Sequence, residues 1–159
     1  MHSERQIRLW FEEIRDNSYS DLCLSSKVHI KDMFLSGYSS PFNGNVYINL
    51  SFVNRYKLSK EDVIGILAHE LAHQVSYRTR SFYPKILFLW NYWLSEKKRS
   101  EVEKEADEIT VQRGYGKELL AERESEDRRH ANNKKRLASI RRLYLGPDDI
   151  KKIMKRYHK

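Results

Sequence analysis

His69, Glu70 and His73 fall together in Ala68-His69-Glu70-Leu71-Ala72-His73, inside an apolar run. In a helix, residues four apart share a face and sit about 6 Å apart along the axis. Two imidazoles so placed can grip one metal ion, and a carboxylate beside them lies close to a water on that ion, where a general base belongs. The chemistry these residue types suit is metal-assisted hydrolysis. The plainer account is a coincidental pair of histidines on a core helix, which the string alone does not exclude.

A catalytic zinc takes three protein ligands and keeps a fourth position open, so a third donor must come from elsewhere. The candidates lie in Ser100-Glu101-Val102-Glu103-Lys104-Glu105-Ala106-Asp107. Glu103 and Asp107 are four apart and flank a stripe of Val102, Ala106 and Ile109. Glu101 or Glu105 could be the ligand instead. Glu103 could close a Ser100-x-x-Glu103 capping box, and Asp107 could be a surface charge.

An H-E-x-x-H helix followed by a helix bearing Glu103-x-x-x-Asp107 resembles the gluzincin peptidases, most of all the CAAX prenyl protease and HtpX family. The resemblance implies Glu103 as third metal ligand, and Asp107 as the acid that accepts the free ring N–H of a ligand histidine and so fixes its tautomer. His130, Arg136 and Leu137 keep the spacing of a further family motif, with Ala131 where that motif has proline. The resemblance makes His130 a donor to the tetrahedral intermediate; a solvated histidine in a charged helix is the competing account. It covers roughly residues 33–143. The membrane members carry transmembrane helices around these motifs, which this chain lacks, so the likeness is to a soluble, minigluzincin-like form. Members of that kind are zymogens blocked by a C-terminal segment. The implied activity is zinc-dependent endopeptidase, with Glu70 activating the zinc-bound water and with one catalytic Zn²⁺. The implied fold is zincin-like.

Such a site needs elements to position it. Residues 3–16 read as a helix, with a Ser3/Gln6 capping pattern and one stripe of Ile7, Trp10, Phe11 and Ile14. The period then changes, and residues 27–31, 33–38 and 45–50 read as short strands, with Asn43-Gly44 as the strongest turn signal. Three such strands make a small antiparallel or mixed sheet. Phe34, Leu35, Ser36 and Gly37 are the candidate substrate-binding rim, where an extended peptide would pair through its backbone. Ser59 opens the motif helix, with Asp62 completing its cap, and Gly65 one turn before His69 could admit close packing.

Ser100 begins the glutamate helix, which runs to about Arg113 with Gly114 as its cap. Residues 117–145 are helical in character with a break between 122 and 133; their apolar stripe is Leu137, Ile140, Leu143 and Tyr144. Gly146-Pro147 interrupts the chain before a last amphipathic helix over 148–157. The expected fold is therefore α+β: a small three-stranded sheet on an active-site helix, then a glutamate helix and further C-terminal helices. Residues 1–145 form the peptidase-like domain and 146–159 a helical tail. His158 in that tail is either a plain terminal residue or an inhibitory ligand for the metal.

With 159 residues, 40% of them hydrophobic, the chain can bury one real core. No apolar run approaches the roughly 20 residues that span a bilayer. The aromatic stretch 82–94 is expected to pack on the domain, with a peripheral membrane or homodimer contact as the alternative. Cys23 is the sole cysteine, so no intrachain disulfide forms, and a cytoplasmic location is expected. The net charge of +8 gathers late in the chain, on clusters that alternate with apolar residues. A solvated helix face accounts for it, and no nucleic-acid partner is required beside the peptide or protein substrate. A basic, zinc-stabilised binding module for nucleic acid or a membrane surface is the alternative function.

Overall fold

The helix that carries the histidine motif is the element against which the others pack. The computed structural model describes residues 1–22, 26–78 and 95–157. In chain order these form α1 (Glu4–Ser18), β1 (Val28–Ile30), β2 (Gly37–Ser39), β3 (Val46–Ile48), α2 (Leu50–Arg55) and α3 (Lys60–Arg78). Then follow α4 (Glu96–Thr110), a wide helical turn over Val111–Tyr115, α5 (Gly116–His130), α6 (Lys134–Leu143) and α7 (Pro147–Tyr157). The fold is α+β and mostly helical. The aromatic stretch 82–94 and His158 lie outside the described residues. No described helix is long and apolar enough to cross a membrane.

Local signals start the helices where the sequence places them. Ser3 and Gln6 make a reciprocal capping box on α1. Ser59 and Asp62 do the same for α3, with Asp62 Oδ2 accepting from Ser59 N at 2.8 Å and Ser59 Oγ from Asp62 N at 3.1 Å. Most of α3 is buried, because α1, α4, α5 and the sheet enclose it. Its Val63, Leu67 and Leu71 meet Ile7, Phe11 and Ile14 of α1 and Val28, Val46 and Ile48 of the strands in one core. Each such side chain contributes about 1.5–3 kcal/mol on burial, so the motif helix is held by many partners. Gly65 does admit a close approach: a Cβ there would stand 2.5 Å from the Glu118 carbonyl oxygen of α5.

The sheet is mixed, with order β1-β3-β2. β1 runs parallel to β3, β2 antiparallel to it, and β2 lies at an edge. Two expectations are corrected here. The rim strand covers Gly37–Ser39 and not 33–38, because Asn49 draws the preceding chain into a bend. Asn49 N donates to Ser36 O at 2.9 Å, and its side-chain nitrogen donates to Met33 O. The same Asn49 ends β3 at Ile48 and caps α2 by accepting from Phe52 N. That helix was not expected, and Leu50 belongs to it and not to the strand.

The glutamate helix also starts earlier than expected. Ser95 caps it, so Ser100 is inside α4, where its hydroxyl donates to Arg142 O at 2.7 Å. Glu103 therefore closes no capping box. Gly114, expected as a helix cap, adopts a φ of 95° within the wide turn, a left-handed conformation that glycine takes without strain. The break in the late helical stretch falls at 131–133, inside the expected window. Val111, Leu119, Ile150 and Ile153 form a second small core that holds α7 against α5.

Candidate metal centre

Four apart on α3, His69 and His73 present their rings to one side, with centroids 4.7 Å apart and planes at 84°. Glu103 comes from α4, packed alongside. Its Oε2 lies 3.2 Å from His69 Nε2 and 3.4 Å from His73 Nε2. All three residues are buried, and they are a His-His-Glu group that could hold a metal ion. The spacing fits that use. Ligand atoms about 2.05 Å from a central ion at tetrahedral angles stand roughly 3.3 Å from one another. Glu101 and Glu105, the alternative ligands, are exposed on the other side of α4.

Asp107 is fully buried one turn after Glu103. Its Oδ1 lies 2.9 Å from His69 Nδ1 and 2.8 Å from Arg123 Nη2, and its Oδ2 accepts from Leu145 N at 2.9 Å. Contact at Nδ1 leaves Nε2 as the His69 nitrogen that faces Glu103 and could take a metal. Burial alone would raise the Asp107 carboxyl; the Arg123 charge, His69 and the Leu145 N–H hold it below its ordinary range. Burial likewise opposes ionised Glu103, and the two histidines overcome it, keeping Glu103 a carboxylate well below its usual value. Burial disfavours a charged His69, yet Asp107 and Glu103 push it up to about 10.

Glu70 is buried beside the triad, and burial raises its pKa, with His73 and His69 opposing. A carboxylate so shifted is a better proton acceptor than an exposed one. The strand backbone closes over it: a Cβ on Gly37 would stand 2.9 Å from Glu70 Oε1. His69, Glu70, His73 and Glu103 line a cavity of about 160 Å³. Leu35, Ser36, Gly37 and Tyr38 form its rim. Phe34, the fourth expected rim residue, is 92% exposed and outside the cavity lining.

The far wall is the part that sequence reasoning missed. Leu119, Glu122, Arg123 and Glu126 of α5 line it, together with Tyr144. These four recur at i, i+3, i+4 and i+7, so their shared face was readable in principle. His130 lies one turn further on, partly exposed at the end of α5, and is absent from the lining. Burial, then the charges of Arg136 and Arg129, lower its pKa and disfavour the imidazolium. Arg123 carries the wall's charge: it pairs with Asp107 and Glu122, and its guanidinium lies 4.5 Å over the Tyr144 ring. Burial and Glu103 keep the Tyr144 phenol neutral, raised well above its ordinary value. No described residue of α7 lines the cavity.

No protein-family model, curated protein or solved structure matches the chain.

Proposed function

We propose that this chain is a zinc-dependent endopeptidase. The observation that carries the reading is the convergence of His69 Nε2, His73 Nε2 and Glu103 Oε2 next to Glu70 in one cavity wall. Two imidazoles and one carboxylate match the ligands of a catalytic zinc, and a carboxylate beside them that takes no part in the triad suits a base. Bound there, zinc supplies a Lewis acid and lowers the pKa of a water from 15.7 to about 7 in favourable sites. Glu70 takes the proton of the attacking water and delivers it to the leaving amine. Asp107 holds the His69 ring in the orientation that points Nε2 at the ion. The edge strand β2 offers an extended substrate its backbone, beside Leu35 and Tyr38.

The test is metal analysis joined to hydrolysis of a labelled casein. One zinc per chain and casein cleavage are expected of the wild type. Glu70→Gln should retain the zinc and lose on the order of 10²–10⁴ in rate. Undiminished turnover in that variant would remove Glu70 as the base, and a chain that takes up no metal would end the reading.

A further inference from the structure

The turn between α6 and α7 carries a side chain with no part in the proposed chemistry so far. Tyr144 lines the cavity, edge-on to His69 with ring centroids 6.0 Å apart. Among the described residues its hydroxyl has no hydrogen-bond partner. The rest of the residue is held firmly. Its N–H closes α6 by donating to Ile140 O at 3.0 Å, and the Arg123 guanidinium covers its ring at 4.5 Å. The next N–H, of Leu145, donates to Asp107 Oδ2 at 2.9 Å. Asp107 Oδ1 in turn meets His69 Nδ1 at 2.9 Å. One carboxylate thus sets the orientation of His69 and the place of Tyr144.

Hydrolysis of a peptide puts negative charge on the carbonyl oxygen, and a fixed donor aimed at that oxygen accelerates the reaction more than one that must reorganise. His130 is not among the residues that line the cavity. The Arg123 Nη groups on this wall are engaged by Asp107 and Glu122. We propose that Tyr144 is a catalytic residue of the peptidase inferred above, donating its hydroxyl hydrogen to the substrate carbonyl oxygen as that oxygen gains charge. No bond to Tyr144 forms or breaks, and its proton stays on the phenol. The assignment rests on the endopeptidase reading. It also accounts for α7, which packs on α5 through Ile150 and Ile153 and so braces the turn that presents the phenol.

The test compares zinc-loaded full-length wild type with Tyr144→Phe, which keeps the ring under Arg123 and removes only the hydroxyl. Casein hydrolysis gives kcat and KM. Calorimetric titration with acetohydroxamate gives an affinity at the metal that needs no turnover. Tyr144→Phe should keep one zinc, its unfolding midpoint and a KM within about threefold, while kcat falls on the order of 10²–10³-fold. Acetohydroxamate, whose oxygen takes the place of the carbonyl oxygen, should bind about tenfold more weakly. A kcat within threefold of wild type overturns the assignment, as does an unchanged acetohydroxamate affinity. A wild type that binds zinc and acetohydroxamate but cleaves no casein overturns the endopeptidase reading itself, and this role with it.

Discussion

The α3 wall of the cavity places His69, Glu70 and His73 on a single helix packed on several sides by apolar residues. The facing wall places Glu122, Arg123 and Glu126 on α5 and adds Tyr144 from a turn, and charge holds it together. On the first wall the geometry is local, since a helix fixes residues four apart by itself. On the second it depends on partners distant in sequence, such as Asp107 and Leu145, joined at 2.9 Å across 38 positions. The walls meet at Asp107, which touches His69 on one side and Arg123 on the other. On the function proposed above, metal binding would fall to the α3 wall with Glu103, and the aim of the substrate to the other.

The sharpest way to break that division is to strike each wall in turn. His73→Ala takes one of three donors from the metal and should weaken zinc binding on the order of 10²–10³-fold, read by competition with a chromogenic chelator. Tyr144→Phe should leave that affinity unchanged. Equal losses in both variants would mean the walls do not divide the labour as described.

Asp107→Ala should damage both. Freed from its acid, His69 should cost about 10–100-fold in zinc affinity. Arg123 would lose a buried carboxylate partner, a change that typically costs roughly 3–5 kcal/mol of stability. Thermal unfolding in a chelator reads the second effect apart from the first. A metal-free chain as stable as wild type would show that Glu122 alone satisfies Arg123.

The same local-versus-distant contrast governs what the sequence revealed. The motif helix, its Ser59/Asp62 cap and the α1 stripe are written in spacings of three and four residues, and they stand where those spacings put them. Glu103 and Asp107 share one face of α4 by four-residue spacing, but so do Glu101 and Glu105, and it was the resemblance to the gluzincin peptidases that implied the first pair. Asn49 was not legible, since a single residue ends a strand, caps a helix and bends the chain at Ser36 through contacts that leave no periodic trace. Tyr144 was hidden differently. It continues the Leu137, Ile140, Leu143 stripe in sequence, but its backbone is extended, with φ −110° and ψ 162°. The stripe stops one residue early, and the ring turns to the cavity.

Gly65 tests how closely the walls must approach. A methyl group there would meet the Glu118 carbonyl at 2.5 Å, and backbone cannot yield as a side chain does. Gly65→Ala should therefore cost about 1–3 kcal/mol despite the better helix propensity of alanine. Urea unfolding measures it, and a stabilised variant would mean that α5 can shift away from α3 without loss.

Glu126 gives the smallest effect and the finest test of the charged wall. Burial, then the neighbouring Glu122, push its pKa from 4.5 up to about 7, against the pull of Arg123, Arg129 and Arg136. Its nearest cation, Arg123 Nη1, is 3.9 Å away, too far for a hydrogen bond. The folded chain therefore keeps a proton on Glu126 that the unfolded chain releases between pH 4.5 and 7. Where the folded state binds more protons, stability falls as pH rises. The contribution of Glu126 is full below 4.5, declines through the window and is gone above 7. Glu126→Gln removes that dependence, so the variant should gain on wild type by on the order of 1–2 kcal/mol between pH 5 and 8, discounted for partial exposure. Urea unfolding of both metal-free chains across that range reads the difference directly. A flat difference would mean that Arg123 and Arg129 already neutralise Glu126, and that the far wall presents no carboxylic acid to whatever enters the cavity.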